Sequence, residues 1–462
     1  MRITIIGAGP GGYETAVAAA SKDIDVTIIS DGPVGGTCLN HGCIPTKTFC
    51  AHAQMLDNVR NAGEFGIETS AVSFDFSKVL RRKEAVVEQL RGGVEFLLKN
   101  KKIRYISGKA SLKDNHTVVV RSADGEVAEE IDSDYIIITT GSVSAILPIP
   151  GADLEGVITS TELLSIDSVP KRLCIIGAGV IGLEFASIFN SFASQVTVLE
   201  YCKDILPRFD TDLAKRLKQT LSKKGIAIET SAQVQAITRE DGLLKVSYLK
   251  KDKEACVVAD KVLMAVGRKP AIESLNLSDI GLDFTPKGIV TDEDMRTNIP
   301  NVFAIGDIRG GMMLAHAATF EGKRALNAIL ADMQAGGPGK GKAADGIDFD
   351  IIPAAVFTCP EASVVGLTEE DCKARGIACK CLKSFFRANG KAVSMGETEG
   401  YCKIIISDEG RILGCHLFGP HASDIIQEVA ALMNKKANIS ELSQIIHAHP
   451  TLSEVILSAA SN

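Results

Sequence analysis

The strongest constraint on the fold of this chain is an internal repeat, in which one glycine motif appears twice, 170 positions apart. The glycines of the two copies are Gly7, Gly9 and Gly12, and Gly177, Gly179 and Gly182. The predicted elements around them are strands at 2–6 and 25–29 with a helix at 11–21, and strands at 173–176 and 195–199 with a helix at 180–192. A G-x-G-x-x-G motif that follows an apolar strand and opens a helix is typical of a dinucleotide-binding βαβ unit.

Each of the three positions in the motif requires glycine for a physical reason. The first permits a tight turn, the second lets the backbone approach a pyrophosphate, and the third lets the helix pack against the strand. Unpaired amides at the start of the helix then face the phosphate charge. The repeat therefore predicts an α/β fold with two Rossmann-like domains and two bound dinucleotides; the alternative is a pair of tight βα turns without a ligand.

Composition and charge exclude several classes of protein. Of the 462 residues, 45% are hydrophobic and 23% are charged, as in ordinary globular proteins. The formal net charge of −7 gives no basic surface for a nucleic acid. No apolar run approaches the roughly 18 residues that span a bilayer, and the first residues lack the pattern of a targeting segment. We therefore expect a cytoplasmic protein without nucleic-acid or membrane partners.

The chain has twelve cysteines, which in a protein without an export signal indicate reduced thiols rather than a disulfide framework. Residues 35–47 read GGTCLNHGCIPTK, so that Cys38 and Cys43 precede a predicted helix at 49–58. A disulfide in so short a loop can be strained and reducible, and a helix N-terminus lowers a thiol pKa. The pair could be two ordinary buried thiols, but its position just after a dinucleotide-binding βαβ unit favours redox chemistry. Cys372, Cys379 and Cys381 lack a second ligand pair, so no metal site is predicted.

Several further motifs accompany the cysteine pair, namely TNIPNVFAIGD at 297–307, LAHAA at 314–318 and HAHPTLSE at 447–454. With both glycine motifs, they give the chain a resemblance along almost its whole length to the pyridine nucleotide-disulfide oxidoreductases. The resemblance implies two Rossmann-like dinucleotide-binding domains and a C-terminal α+β dimerisation domain. The expected parts are 1–145 (FAD-binding, first part), 146–270 (NAD-binding), 271–335 (FAD-binding, central part), 336–346 (a glycine-rich linker) and 347–462 (dimerisation).

The resemblance implies an FAD site at the first glycine motif and an NAD site at the second. The residues expected to hold FAD are Gly7, Gly9, Gly12, Asp31, Lys47, Gly141, Asp307 and Ala315. Asp31 is predicted to replace the acidic residue that the family commonly has at the position of Ser30. The residues expected near NAD or the flavin are Gly177, Gly179, Gly182, Glu184, Glu200 and Gly267.

Glu200 is predicted to select NAD, because a carboxylate at the strand end accepts hydrogen bonds from the ribose and repels a 2′-phosphate. The alternative is an ordinary charge at the end of a strand. Lys47 and Glu184 match an ion pair of the family near the reactive ring of the flavin. On pattern alone, Lys47 is a solvated lysine and Glu184 a carboxylate on a helix surface.

The resemblance also implies how the cysteines react. Cys43 would be the thiolate beside the flavin and Cys38 the sulfur that exchanges with substrate. His449 and Glu454 would form the acid–base dyad, with the histidine acting on the other subunit of a homodimer. Pattern alone instead makes Glu454 the end of a capping box that begins at Thr451. A protonated His41, between the cysteines, is a further hypothesis for stabilising a thiolate.

Within the family, the chain is most similar to members that oxidise dihydrolipoamide with NAD, as in the 2-oxo acid dehydrogenase and glycine cleavage complexes. The nearest rivals are reductases of glutathione or of mercuric ion, which Glu200 and the absence of a C-terminal cysteine pair disfavour. A non-catalytic flavoprotein scaffold is the alternative from another class. The presence of Cys38, Cys43 and His449 together argues against it.

Overall fold

The computed structural model describes residues 1–122 and 124–462, which form two compact units. Unit 1 contains Met1–Thr48, Leu80–Ala145 and Arg268–Ile347. Unit 2 contains Phe49–Val79, Ile146–Gly267 and Asp348–Asn462. Because the chain enters each unit three times, neither unit is a continuous stretch of sequence.

The centre of unit 1 is a five-stranded parallel sheet. Its strands, in spatial order, are Val302–Ala304, Tyr135–Ile138, Arg2–Ile6, Asp25–Ser30 and Ile103–Ser107. The other sheets of the unit are Lys109–Leu112 with Thr117–Arg121 and Val127–Asp132, Ser142–Ser144 with Arg268–Pro270, and Phe284–Thr285 with Gly288–Ile289. Its helices are Pro10–Ala20, Gly36–His41 and Ala315–Ala335, with a short 3₁₀ helix at Gly306–Arg309.

The apolar strands explain why this sheet is buried on both faces. Ile5, Ile28 and Ile137 are completely buried, which is typical of the continuous hydrophobic strands of parallel sheets. One face packs against the three-stranded antiparallel sheet through a cluster that contains Ile138 and Leu112. The helices of the unit also approach one another closely, since a Cβ atom at Gly322 would overlap the hydroxyl of Thr15.

Unit 2 contains the second parallel sheet. Its strands, in spatial order, are Ala227–Thr230, Gln195–Glu200, Arg172–Ile176, Lys261–Met264 and Val157–Ile158. An antiparallel sheet of Ala232–Glu240, Leu243–Lys250 and Lys253–Ala259 packs beside it. The helices of this part are Ser160–Leu163, Val180–Ser191 and Thr211–Lys223.

The C-terminal part of unit 2 is an antiparallel sheet with helices. The strands, in spatial order, are Ala354–Val356, Glu361–Gly366, Ile412–Gly419, Tyr401–Ser407 and Cys379–Phe385. The helices are Glu369–Ala374, Gly390–Met395, Ala422–Asn434, Ile439–Leu442 and Glu454–Ala460, with a 3₁₀ helix at Phe386–Ala388. Another 3₁₀ helix, Ala62–Phe65, lies elsewhere in the unit. Two longer helices, Cys43–Arg60 and Phe76–Leu97, each run from one unit into the other along the chain.

A buried ion cluster connects the helix Thr211–Lys223 with this C-terminal sheet. Lys403 is completely buried, and its Nζ donates to Asp210 Oδ2 at 2.7 Å and to Asp212 Oδ2 at 3.3 Å. It also pairs with Glu369. Asp210, which is equally buried, caps the helix by accepting from the amides of Asp212 and Leu213. A single aspartate therefore both starts the helix and binds the lysine of the sheet.

The mixed α/β class predicted from the sequence is confirmed, and the elements around both glycine motifs are within about one residue of their predicted bounds. The region of the cysteines differs from the prediction. The predicted helix at 49–58 begins earlier, at Cys43, and Cys38 lies in a separate helix, Gly36–His41. In the part of the chain that the structure describes, no helix has both the length and the apolarity needed to cross a membrane.

Candidate functional site

The first glycine turn forms a cradle with one open side. At Gly7, φ is +113°, and a Cβ atom would overlap the carbonyl oxygen of Thr139. At Gly12 a Cβ atom would overlap the carbonyl oxygen of Gly7, so the third glycine allows the helix to approach the turn. At Gly9, however, no described atom lies within 4 Å of the Cβ position. The free space beside Gly9 is where a pyrophosphate could approach the backbone.

The second glycine turn repeats this geometry. At Gly177, φ is +106°, and a Cβ atom would overlap the carbonyl oxygen of Ala265, while a Cβ atom at Gly182 would overlap Gly177. The space beside Gly179 is again open to 4 Å among the described residues. The N-cap residues of the two helices, Gly9 and Gly179, make no side-chain hydrogen bond to the first helical amides. These amides are thus available to an anion. Both turns therefore fit a dinucleotide.

Glu200 lies at the end of the strand Gln195–Glu200 and is only 7% exposed. Its carboxylate accepts from the backbone amide of Ala178 at 2.6 Å and from that of Cys202 at 2.7 Å. The first of these amides belongs to the glycine turn. The structure therefore fixes the carboxylate in a buried position beside the turn, and the selection of NAD by Glu200 stays a prediction.

Asp307 belongs to a hydrogen-bonded chain in unit 1. Its Oδ2 accepts from the hydroxyl of Ser142 at 2.5 Å, and the same hydroxyl accepts from Arg268 Nε at 2.7 Å. Arg268 Nη2 also donates to the carbonyl oxygen of Ser142 at 2.7 Å. Sequence reasoning identified Asp307 but missed Ser142 and Arg268. Ser142 directly follows Gly141 and Arg268 directly follows Gly267, two glycines that were expected at the cofactor sites. Their position next to these glycines is the signal that could have identified them.

The other residues expected at the flavin site occupy different environments. Gly141 and Gly267 have φ values of +75° and +123° and open space at their Cβ positions. Ala315 is the first residue of the 21-residue helix Ala315–Ala335. Asp31 is exposed, whereas the hydroxyl of Ser30 donates to the carbonyl oxygen of Gly32 at 3.1 Å. The carboxylate of Asp31 is thus accessible at the end of the strand.

The two cysteines are thiols in the structure, and both are partly buried. Their side chains are hydrogen bonded; this hydrogen bond and then burial raise the pKa of the Cys38 thiol well above its ordinary value. The charge of Lys47, one helical turn beyond Cys43, acts in the opposite direction and lowers the pKa of Cys38. The two sulfurs are therefore within hydrogen-bonding reach of each other.

Lys47 and Glu184 belong to different units, Lys47 to unit 1 and Glu184 to unit 2. Lys47 is half-buried on the helix Cys43–Arg60. Glu184 is 3% exposed in the helix Val180–Ser191, and its Oε1 accepts from the backbone amide of Phe357 at 3.0 Å. The alternative of a carboxylate on a helix surface is therefore wrong for Glu184.

His41 does not fit the hypothesis of a charged group beside the cysteines. Partial burial, and then the positive charges of Lys83 and Arg91, lower the pKa of His41. The neutral imidazole is therefore favoured at neutral pH. A neutral ring cannot act as a counter-ion to a thiolate, so the direction of this shift disfavours the hypothesis of a protonated His41.

His449 and Glu454 form a hydrogen-bonded pair in unit 2. His449 Nδ1 lies 2.9 Å from Glu454 Oε1, and the other oxygen, Oε2, accepts from the backbone amide of Thr451 at 2.8 Å. The Thr451 hydroxyl instead donates to the carbonyl oxygen of Ala448, and the helix begins at Glu454. The predicted capping box is thus only half present. The imidazole is 78% exposed, so that its Nε2 is accessible to a reacting group.

Chemically, these groups can perform redox chemistry at sulfur. They include two cradles for dinucleotides, a pair of adjacent thiols and an exposed histidine that is oriented by a carboxylate. No group of three or more metal-ligating side chains occurs within residues 1–122 and 124–462.

Comparison with known families agrees with this geometry. Residues 1–322 match the family model of the pyridine nucleotide-disulphide oxidoreductases, and residues 352–460 match the dimerisation domain of the same family. The chain therefore belongs to the pyridine nucleotide-disulphide oxidoreductases. It is an FAD-dependent disulfide oxidoreductase linked to NAD, and its dimerisation domain makes it a homodimer.

The relatives of known name indicate a branch of this family. The chain is 38% identical over 460 residues to dihydrolipoyl dehydrogenase of Geobacillus stearothermophilus, covering 99% of this chain and 94% of that protein. It is 37% identical to dihydrolipoyl dehydrogenase of Bacillus subtilis, covering 99% and 97%. Among solved structures, LpdA of Mycobacterium tuberculosis has a TM-score of 0.90 at 27% identity, covering 100% and 99% of the chains. The HOCl-induced flavoprotein disulfide reductase RclA of Escherichia coli has a TM-score of 0.87 at 31% identity, covering 100% and 98%.

Proposed function

We propose that this chain oxidises dihydrolipoamide to lipoamide and transfers the electrons to NAD through Cys38, Cys43 and FAD. The observation that carries the proposal is the full-length similarity to dihydrolipoyl dehydrogenases, together with the adjacent thiols of Cys38 and Cys43. The buried carboxylate of Glu200 beside the second glycine turn supports NAD as the acceptor, because it would repel a 2′-phosphate.

The reaction begins with Cys38 and Cys43 joined as a disulfide. One thiolate of dihydrolipoamide attacks the sulfur of Cys38, so that a substrate–Cys38 bond forms, the bond between the cysteines breaks, and Cys43 leaves as a thiolate. The second substrate thiol then attacks the other sulfur of the substrate, which is bound to Cys38. This attack releases lipoamide and leaves the cysteine pair reduced by two electrons in total.

His449 of the partner subunit accepts the proton of the first substrate thiol, and the proton of the second thiol passes to the departing sulfur of Cys38. Its Nε2 is exposed, and its Nδ1 is fixed by Glu454 at 2.9 Å. The carboxylate orients the ring, and the imidazolium that forms on proton transfer stabilises a nearby thiolate. Both residues of the dyad thus act on the proton rather than on the electrons.

The cofactors would lie in the two glycine cradles. Gly7, Gly9 and Gly12, with Gly141, Asp307 and Ala315, would hold FAD, while Asp31 would bind its adenosine ribose. Gly177, Gly179 and Gly182, with Glu200 and Gly267, would hold NAD. Lys47 would lie near the reactive ring of the flavin. When bound, the flavin supplies two-electron transfer between the thiolate and the nicotinamide.

The decisive experiment is a steady-state comparison of dihydrolipoamide with reduced glutathione, each with NAD or with NADP. We expect turnover with dihydrolipoamide and NAD to exceed the other three combinations by at least about a hundredfold. Preferred turnover of glutathione would favour the glutathione-type reductases. An absence of turnover with flavin bound would favour the non-catalytic scaffold.

Other expectations from the sequence stay predictions. They are the five-part division of domains, the cytoplasmic location, and service to a 2-oxo acid dehydrogenase or glycine cleavage complex. Pull-down with the isolated lipoyl domains of each complex would test the last of these.

A further inference from the structure

A cavity of about 450 Å³ lies in unit 2 between the helix Thr211–Lys223 and the edge of the C-terminal sheet. Its volume is within the range of roughly 300–1,000 Å³ that is usual for small-molecule sites. The lining includes Asp212, Lys215 and Arg216 from the helix and Lys383, Phe385 and Tyr401 from the sheet. None of these residues belongs to the redox pair or is expected at a glycine turn, so the cavity has no task in the mechanism above.

The periodicity of the two elements brings these side chains together. Positions 212, 215 and 216 are spaced i, i+3 and i+4, so they share one face of the helix. Lys383 and Phe385 are two residues apart on the edge strand and thus lie on one face of the sheet. Phe385 is directly opposite Tyr401 on the neighbouring strand, and the centroids of their rings are 6.4 Å apart. The ion cluster of Lys403 packs this helix against this sheet, which holds the two faces beside each other.

The walls of the cavity carry more positive than negative charge. Lys215, Arg216 and Lys383 are cations, and Asp212 is the one carboxylate among the described residues that line it. The charge of Asp212 is already compensated, because its Oδ2 accepts from Lys383 Nζ at 2.8 Å and from the buried Lys403 Nζ at 3.3 Å. Lys215 and Arg216 are exposed on the helix. The cavity therefore favours an anion.

The hydroxyl of Tyr401 needs an acceptor. Tyr401 is 4% exposed, and its buried hydroxyl has no hydrogen-bond partner among residues 1–122 and 124–462. Burial, and then the charges of Asp210 and Asp212, raise the pKa of Tyr401, so that the phenol keeps its proton at neutral pH and is a donor. A buried donor without an acceptor costs free energy, and an oxygen atom of a ligand in the cavity would remove this cost.

We propose that this cavity binds a small organic phosphate. The phosphate oxygens would accept from Lys215, Arg216 and the Tyr401 hydroxyl. A phosphate group offers three acceptor oxygens and up to two negative charges to these donors, whereas a carboxylate offers two oxygens and one charge. Phe385 is 36% exposed and provides an apolar wall for the organic part. The site does not rest on the proposed function, because none of these groups takes part in the transfer of electrons.

Phenyl phosphate is a suitable probe, since it combines the phosphate with an apolar ring. Titration calorimetry is done on the FAD-bound dimer saturated with NAD, so that both glycine turns are occupied. We expect one saturable site per chain with a Kd below about 10 mM. Benzoate, which has the ring but not the phosphate, should bind at least about tenfold more weakly. No saturable binding of phenyl phosphate by about 10 mM, or equal binding of benzoate, would overturn the proposal.

Arg216→Met removes one cation from the wall and should weaken the binding of phenyl phosphate at least about tenfold. The matched control is Lys223→Met, because Lys223 is exposed in the last turn of the same helix and is not part of the lining. Its affinity should stay within about twofold of the parent. Equal losses in the two variants would show a general attraction to the charge of the helix and would overturn the site.

Tyr401→Phe separates ligand binding from a structural role. The variant keeps the ring that contacts Phe385 and Phe418 and removes only the hydroxyl. Because this hydroxyl has no partner in the described part of the chain, the denaturant midpoint of unfolding should not fall. The affinity for phenyl phosphate should instead fall at least about tenfold. An affinity equal to that of the parent would overturn the placement of the phosphate at Tyr401.

Discussion

The two carboxylate oxygens of Glu454 have different partners, one being the imidazole of His449 and the other the backbone amide of Thr451. The amide fixes the carboxylate at the start of the last helix, and the carboxylate fixes the ring. Because the orientation of the histidine depends on this acceptor, the side chain combines a structural and a chemical task.

Replacing Glu454 by Gln should therefore reduce activity much more than stability. The amide oxygen of glutamine can accept one of the two hydrogen bonds, but it has no charge to favour the imidazolium. We expect the turnover of dihydrolipoamide to fall about a hundredfold, with the flavin still bound. Steady-state kinetics and the visible spectrum check both parts; a turnover within threefold of the parent would contradict the role of the dyad.

The pH dependence of this pair has a definite sign. The hydrogen bond from Thr451, and then that from His449, lower the pKa of Glu454. A carboxylate whose pKa is lower in the folded state stabilises the fold above its unfolded pKa, and this contribution is lost as the pH falls through the folded pKa. We therefore expect the imidazole resonances of His449 to report an intact pair until the pH falls through the lowered pKa of Glu454. Dissolution of the pair above the ordinary pKa of a glutamate, about 4.3, would contradict this.

At the scale of elements, the glycines within each of the two turns differ in what surrounds their Cβ positions. Gly7 and Gly12 lie against backbone oxygens, whereas Gly9 faces open space. The same division holds at Gly177 and Gly179. A methyl group should therefore disturb folding at one position and ligand binding at the other.

We expect Gly9→Ala to fold with little loss of stability but to bind FAD at least about tenfold more weakly, because its Cβ enters the space beside the helix start. Gly7→Ala should instead be destabilised by about 1–3 kcal/mol, since φ is +113° and the methyl group overlaps Thr139. Denaturant unfolding of the apoproteins and flavin titration separate the two effects. Equal flavin affinity in Gly9→Ala and the parent would refute the cradle.

At the second turn, Gly179→Ala provides the corresponding test for NAD. We expect its KM for NAD to rise about tenfold or more, with the bound flavin spectrum unchanged. A surface glycine with open space, Gly242→Ala, would not serve as a control, because its φ is +78°. Gly63→Ala is suitable, since its Cβ position is open and its φ is ordinary.

The comparison of prediction and structure shows where sequence reasoning was sufficient. Apolar strands next to glycine turns have a strong periodic pattern, so their bounds were predicted to about one residue. The six-residue helix Gly36–His41 is too short for such a pattern and was missed. The hydrogen bonds of Ser142, Arg268 and Asp307 were also missed, because they join residues more than 100 positions apart. The cysteine pair could be recognised from its position after a βαβ unit, whereas the roles of the individual cysteines and of His449 needed the family resemblance.

At the scale of the whole molecule, Lys403 and Asp210 form a completely buried ion pair. Burial lowers the pKa of this lysine, but the carboxylates of Asp210, Glu369 and Asp212 more than offset the effect and raise it. Removing one partner of a buried pair leaves the other charge without compensation. The cluster is thus a point at which one substitution affects both the helix Thr211–Lys223 and the C-terminal sheet.

We expect Lys403→Met to lower the free energy of unfolding by about 3–5 kcal/mol. Lys380→Met is the matched control, because Lys380 lies on the neighbouring strand and its pair with Asp408 is exposed; its loss should be below about 1 kcal/mol. Chemical denaturation of both variants measures the difference. Similar losses for the two variants would show that the buried cluster contributes no more than a surface pair.

The position of Asp210 limits how the protein can be divided in the laboratory. Any fragment that includes this aspartate but ends before the C-terminal sheet would lose Lys403, its cation. The fragment would carry a newly uncovered acidic site at the very residue on which a 13-residue helix begins. Excised pieces made to study nucleotide binding should therefore either include residues up to the C-terminus or replace Asp210 by Asn or Ser, which can still cap the helix without a charge.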